Sequence, residues 1–242
     1  MIKKILYPLC LIRNKLFNRD DFVWKRYHKC YAEEIINCGK INTLRLSKKD
    51  FNVDETRLEF YCNPSLHNNA ELLYRIIHDL KPTTIMEVGC GGGDHMYNIK
   101  LINPKINIFG CDLLQKQLDF LYQRNPKLNA FVHDITKDRL PTVNMMYTQA
   151  VIMHLHKSDN HLDALTNMIN SVDKYVVLIE NWTRHNFIED IKRISLGLKE
   201  KISLYKVDNG KQVALIISKV PIENKLLDYQ EIKNNDELLK YL

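Results

Sequence analysis

Glu87, Gly89, Gly91 and Gly93 alternate at the end of an apolar run, Thr83-Thr84-Ile85-Met86, and Asp94 opens a helical pattern through Ile102. A strand that ends in a glycine-rich turn lets the backbone approach a ligand closely and adopt φ values that other residues resist. Such a turn sits at the carboxyl end of the first strand of an open α/β sheet, where ligands bind. The spacing excludes two ligand classes. The sixth position of a dinucleotide fingerprint counted from Gly89 is Asp94 rather than glycine, and no Gly-Lys-Ser/Thr follows to cradle phosphate.

Two further acids close strand-like runs. Asn107-Ile108-Phe109-Gly110-Cys111 ends in Asp112, 19 positions past Gly93, and Ala130-Phe131-Val132-His133 ends in Asp134. An acid about 20 residues beyond the glycine turn is placed to accept hydrogen bonds from a ribose diol. Either acid alone reads equally well as a helix cap or a solvated loop residue. Three acids on three successive strand ends are harder to assign to chance.

The run Glu87-x-Gly89-x-Gly91-x-Gly93 resembles motif I of the class I S-adenosylmethionine (SAM)-dependent methyltransferases. The resemblance covers about residues 63–218. It implies SAM as cofactor and S-adenosylhomocysteine as product, with no phosphate to bind. It implies that Glu87 engages the cationic end of the ligand and that Asp134 takes the adenine amino group. Gly89, Cys90, Gly91, Gly93, Asp112, Leu113, Ile135 and Gln149 complete the cofactor set it implies. The segment after the fourth strand, Thr148 to Asp159, faces the reacting methyl group in this family. There His154 is the candidate base, His156 its reserve, and Glu180 on the next strand end a candidate contact to an acceptor hydroxyl. Simple packing or loop capping remains open for each. The segment lacks the Asn/Asp-Pro-Pro-Tyr/Phe signature of enzymes that methylate nucleobase or glutamine amides. Trp182, His185 and Phe187 either stack on a sugar face or anchor the next helix.

His154, His156, Asp159 and His161 have the ligand types for a divalent metal, which stands as a second choice. Their spacing matches no metal motif, and Asp159 and Asn160 read as helix N-caps, so no metal is assigned.

The elements that must hold these residues alternate along the chain. A helix ends at Leu80 before Lys81-Pro82, and strand–helix pairs follow at 84–89 and 94–102, then at 106–111 and 115–123. Strands at 129–133, 145–151 and 175–180 follow, with helices at 160–171 and 186–198. This pattern implies a doubly wound, mostly parallel sheet of seven strands. Asn209-Gly210 between runs 201–207 and 212–218 signals a tight hairpin, which makes the last strand antiparallel. The expected organisation is an extension at 1–62, the methyltransferase-like domain at 63–220 and a charged tail at 221–242, helical near 234–242.

The formal net charge of +6 is uneven: residues 1–50 hold 12 Lys/Arg against 5 Asp/Glu, and the rest nets −1. A basic stripe over the catalytic face is therefore not expected, which argues against a nucleic-acid partner. The basic, partly apolar N-terminal segment suits a lid or an oligomer contact, or contact with an anionic membrane face. Its apolar run of eight residues, Ile5 to Ile12, is too short to span a bilayer and no cleavage site follows it. Six cysteines without C-x-x-C pairing read as free thiols of a cytoplasmic protein. The resemblance implies O-methylation of a small polar molecule or glycan, such as a sugar or sugar-phosphate of bacterial surface polysaccharide. The alternatives are an N-methyltransferase acting on a small molecule or protein side chain, or a non-catalytic SAM-binding partner subunit.

Overall fold

The computed structural model describes residues 45–61, 66–137, 139–223 and 225–240. Most of the 1–62 extension, with Cys10, Cys30, Cys38 and Cys62, lies outside the described residues. Its end does not. Strands β1 (Phe51–Val53) and β2 (Leu58–Phe60) pair antiparallel, and Leu46, Phe51 and Leu58 are buried in the core. Leu46 N donates to Asn98 Oδ1 at 2.8 Å, and Asn98 Nδ2 donates to the Tyr74 hydroxyl at 2.9 Å. Residues 45–61 are thus part of the packed domain.

Helix α1 (Asn68–Leu80) starts where His67 Nδ1 accepts the Asn69 amide at 3.2 Å. It ends where Lys81 takes a left-handed φ of 48° and Pro82 bars continuation. The alternation that follows is β3 (Thr84–Val88), α2 (Asp94–Ile102), β4 (Asn107–Asp112), α3 (Gln115–Arg124) and β5 (Asn129–Val132). Then come β6 (Val143–Gln149), a 3₁₀ turn (Ile152–His154), α4 (Asn160–Asn170), β7 (Val172–Ile179) and α5 (Phe187–Ser195). The chain closes with β8 (Ser203–Asp208), β9 (Val213–Ser218), β10 (Gln230–Glu231) and α6 (Asp236–Leu239).

The large sheet has the order β10-β8-β9-β7-β6-β3-β4-β5. β3 pairs parallel with both β4 and β6, so the chain leaves it in opposite directions and opens a crevice at its carboxyl end. β9 runs antiparallel between β7 and β8, as the Asn-Gly signal predicts. Gly210 takes φ 77° in that turn, and Asn209 Oδ1 accepts the amides of Lys211 and Gln212.

Alternation of side chains splits the core between the two faces of the sheet. Met145, Tyr147, Val177 and Ile179 pack with Leu73, Ile76 and Ile77 of α1 and with Met96 and Ile99 of α2. Met146, Val176 and Leu178 face the other way, onto Leu165 and Met168 of α4 and Ile188 and Ile191 of α5.

The sheet has eight strands where the sequence implies seven. The added strand comes from the segment read as a charged tail. Asp79 accepts the Leu226 and Leu227 amides, each at 3.0 Å, and this bond pair lays the chain along β8. β10 then covers the β8 edge, whose backbone groups would otherwise face solvent, and Ile232 and Leu238 are buried. The helix expected near 234–242 is described only over Asp236–Leu239. Among the described residues no helix is long and apolar enough to cross a membrane.

Candidate active site

The carboxyl ends of β3, β4, β5 and β6 surround a cavity of about 560 Å³, inside the range of small-molecule and cofactor sites. Glu87, Asp112 and Asp134 all line it, each from its own strand end. So do Gly89, Cys90, Gly91 and Gly93 of the turn, and Leu113, Ile135 and Gln149 on the rim. Asp94 adds a fourth carboxylate, and no lysine or arginine lines the cavity among the described residues. Two of the four carboxylates are matched by cations outside the lining, Asp94 by Arg124 and Asp134 by Lys137, each pair at 2.9 Å.

The glycine turn is as tight as its composition implies. Gly89 and Gly93 both sit at φ 77°, in the left-handed region. A Cβ at Gly89 would lie 2.5 Å from Val151 Cγ2, and one at Gly93 would lie 2.8 Å from Leu121 Cδ1. The Arg124 guanidinium braces the turn from behind. It donates to the Gly92 carbonyl, pairs with Asp94 at 2.9 Å and covers the Phe120 ring at 4.2 Å.

Each acid has a distinct setting. Glu87 is 3% exposed, and burial drives its carboxyl well above the usual range, against hydrogen bonding from Tyr147 and Met96 and with added repulsion from Asp94 and Asp112. Its Oε2 is sealed from solvent without a hydrogen-bond partner among the described residues. Asp112 Oδ2 accepts the Gly91 amide at 3.0 Å and Oδ1 accepts the Leu114 amide at 2.9 Å. A carboxylate is an acceptor of the kind a diol needs. Asp134 Oδ1 accepts the Thr136 amide and hydroxyl, and its Oδ2 lies 2.9 Å from Lys137 Nζ. Burial pushes this carboxyl up, and Lys137 and Thr136 outweigh it, so the group ends below its ordinary value. Gln149 Oε1 is a second buried acceptor without a partner among the described residues.

The three residues expected to do chemistry separate. His154 lines the cavity from the 3₁₀ turn, where its amide donates to the Val151 carbonyl at 3.1 Å. Ala150, which follows β6, holds φ 55°, a strained value for a residue with a Cβ, at the point where the chain turns into this loop. His156 is not among the cavity's lining residues; its ring lies 4.8 Å from that of His185. Glu180 is also outside the cavity, beneath the loop. It accepts the Thr148 hydroxyl at 2.6 Å and the amides of Val151 and Met153 at 3.2 and 3.1 Å. The Glu180 carboxyl, expected at an acceptor hydroxyl, instead faces the loop that carries His154 and accepts three donors there.

The aromatic cluster is also structural. Trp182 and Phe187 are buried and meet edge to face at 5.3 Å, and Asn181 Oδ1 caps the Thr183 amide. Asp159 takes the N-cap position of α4 without a side-chain cap bond. Of the four residues weighed for a metal, only His161 joins a ligand group, with His185 and Asp190.

Reading the sequence missed His95, Gln117, His133 and Thr136, which also line the cavity. His133 and Thr136 flank Asp134 and were findable from that adjacency. His95 was findable as the second residue of the helix after the glycine turn. Its Nδ1 lies 2.8 Å from the Tyr74 hydroxyl, and burial lowers its pKa to about 4, so it is neutral near pH 7. Cys90 and Cys111 are free and buried, and burial raises the Cys111 thiol to about 12.

No family model matches the chain. Among solved structures it resembles a TehB-like SAM-dependent methyltransferase from Corynebacterium glutamicum, with a TM-score of 0.55 and 15% identity over 81% of this chain and all of that one. It also resembles a SAM-bound amino pentose methyltransferase from Micromonospora echinaspora, with a TM-score of 0.51 and 11% identity over 64% of this chain and 91% of that one. One curated protein, the tRNA N(3)-methylcytidine methyltransferase trm141 of Schizosaccharomyces pombe, is 39% identical over 67 residues. That match spans 26% of this chain and 27% of the relative. Sheet order, antiparallel β9, glycine turn and these likenesses agree: the chain has the fold of the class I SAM-dependent methyltransferases.

Proposed function

We propose that the chain is a SAM-dependent methyltransferase that methylates a hydroxyl of a small polar acceptor such as a sugar. The carrying observation is a cavity at the β3 switch point lined by the glycine turn and by Glu87, Asp112 and Asp134 from three neighbouring strand ends. SAM supplies, when bound, a methyl group on a cationic sulfur that leaves as a neutral thioether.

The residues present fit that ligand. Glu87 would engage the cationic amino acid end, directly or through water, Asp112 would take the ribose diol, and Asp134 and Ile135 would flank the base. Gly89 brings the backbone close enough to follow the ligand without a clashing Cβ. His154 takes the acceptor's proton as its oxygen attacks, and the apolar loop around it keeps water out. Support for a sugar acceptor comes from the neighbour that methylates an amino pentose.

The 67-residue match to a tRNA methyltransferase favours a second reading, with RNA as the acceptor. Residues 51–242 net −1, which suits an RNA partner poorly.

The test is transfer of labelled methyl from SAM to sugar nucleotides, oligosaccharides and tRNA. Label in a saccharide supports the first reading, label in tRNA replaces it with the second, and heat on titration with NAD but not with S-adenosylhomocysteine overturns both. His154→Ala is expected to lower kcat by about 10²- to 10⁴-fold, the usual span for a general base, with cofactor affinity unchanged. Unchanged kcat would remove His154 from the proton-transfer role.

Glu87→Gln separates binding from folding. Because burial holds the folded carboxyl above its unfolded value, its stabilising contribution is complete at low pH and is lost as pH rises through the folded value. The Gln variant should therefore melt higher than the parent at pH 8 without ligand. It should also bind S-adenosylhomocysteine roughly ten- to 150-fold more weakly, the loss of one charged hydrogen bond of about 1.5–3 kcal/mol. Calorimetry and thermal melting read the two effects independently.

A further inference from the structure

Behind the loop that carries His154, three polar side chains from three elements converge away from the cavity. His161 comes from the first turn of α4, His185 from the link between β7 and α5, and Asp190 from the first turn of α5. One ligand-type atom of each lies within 4.8 Å of the others. His161 Nδ1, His185 Nε2 and Asp190 Oδ2 are all sealed from solvent without a hydrogen-bond partner among the described residues. Buried polar atoms are rarely left so, and three in one cluster point to a missing ligand rather than to chance. The nearest compensation is a contact of 3.5 Å between His161 Nε2 and Asp190 Oδ2.

The chemistry of the donors selects the ligand. Two imidazoles and a carboxylate suit zinc, cobalt or nickel, whereas magnesium and calcium favour sites built of oxygen. His185 has the support that metal-binding histidines need: hydrogen bonding to the Ile152 backbone engages its other nitrogen and leaves Nε2 to donate its lone pair. The His161 and His185 rings stack at 4.1 Å and 11°. Ligand atoms around a tetrahedral zinc sit about 3.3 Å apart, so an ion would draw these atoms, now within 4.8 Å, closer together. His156, 4.8 Å ring to ring from His185, stands beside the same group.

We propose that His161, His185 and Asp190 form a binding site for a divalent transition-metal cation of the zinc class. The ion ties α4 and α5 to the 3₁₀ turn through the contact between His185 and Ile152. Its role is to hold the loop that carries His154, and it takes no part in methyl transfer.

The test titrates zinc chloride into the chelator-stripped full chain by calorimetry, without cofactor or acceptor, so its outcome is independent of the methyltransferase reading. One equivalent per chain is expected. Asp190→Asn and His185→Ala should each weaken binding at least about tenfold, with circular dichroism confirming their fold. Cobalt chloride should give the wild type a visible absorption band that Asp190→Asn, which keeps the side chain's size, reduces or abolishes. Zinc should also raise the melting temperature of the wild type more than that of either variant. Absence of saturable zinc binding in the wild type, or variants that bind zinc and cobalt as the wild type does, overturns the proposal.

Discussion

Replacing Asp112 with alanine is expected to weaken S-adenosylhomocysteine binding at least about 100-fold and to lower the melting temperature. The first effect follows from losing the charge-assisted hydrogen bonds that Asp112 would make to the ribose diol, each worth about 1.5–3 kcal/mol. The second follows from what Asp112 does without ligand: its two oxygens hold the Gly91 and Leu114 amides, one on the glycine turn and one where α3 begins. Those amides would lose their acceptor, at about 0.5–2 kcal/mol for a lost cap of this kind. Asp112→Asn keeps one acceptor oxygen and should fall between the two. Calorimetry with S-adenosylhomocysteine reads the first effect, and affinity within threefold of the parent would contradict the assignment of Asp112 to the diol.

Glu180→Ala carries the other large effect, and here the fold itself is at stake. The Thr148 hydroxyl and the Val151 and Met153 amides all donate to this one carboxyl. Each buried donor left unpaired costs about 1–3 kcal/mol. Removing a carboxyl that burial disfavours offsets part of that, so a net loss of about 3–5 kcal/mol is expected. At 2–4 °C per kcal/mol for a chain of this size, the melting temperature falls by roughly 6–20 °C. Activity should fall with it, since the loop presents His154 to the cavity. Burial raises the Glu180 carboxyl, the bonds from Thr148, Met153, Val151 and Ile152 notwithstanding. The parent should therefore lose stability as pH climbs from the ordinary carboxylate value through the raised one, and Glu180→Ala should flatten that slope. Melting curves from pH 4 to 9 check both statements; a parent and variant with the same slope would show that Glu180 is not the group responsible.

Motifs of short span were legible because their physics is local. The glycine turn, the acids ending β3, β4 and β5, and the Asn-Gly hairpin are each specified by residues within a few positions of one another. Strand alternation then predicts that neighbouring strand ends share a rim, and Glu87, Asp112 and Asp134 do line one cavity. Glu180 shows where that reasoning stops. A carboxylate on the next strand end has the same sequence signature whether it faces ligand or loop, and only the path of residues 150–154 decides which.

From its sequence alone this chain determined the sheet's parallel run, its antiparallel closure and the acids that share one cavity rim, since periodicity and turn chemistry act between near neighbours. Tertiary structure alone decided three things. Asp79 captures residues 226–227 to add an eighth strand, His154 is separated from His156, and His161 meets His185 and Asp190. Those contacts join residues far apart in the chain, and their energies exist only once the helices have packed on the sheet and excluded water from between them.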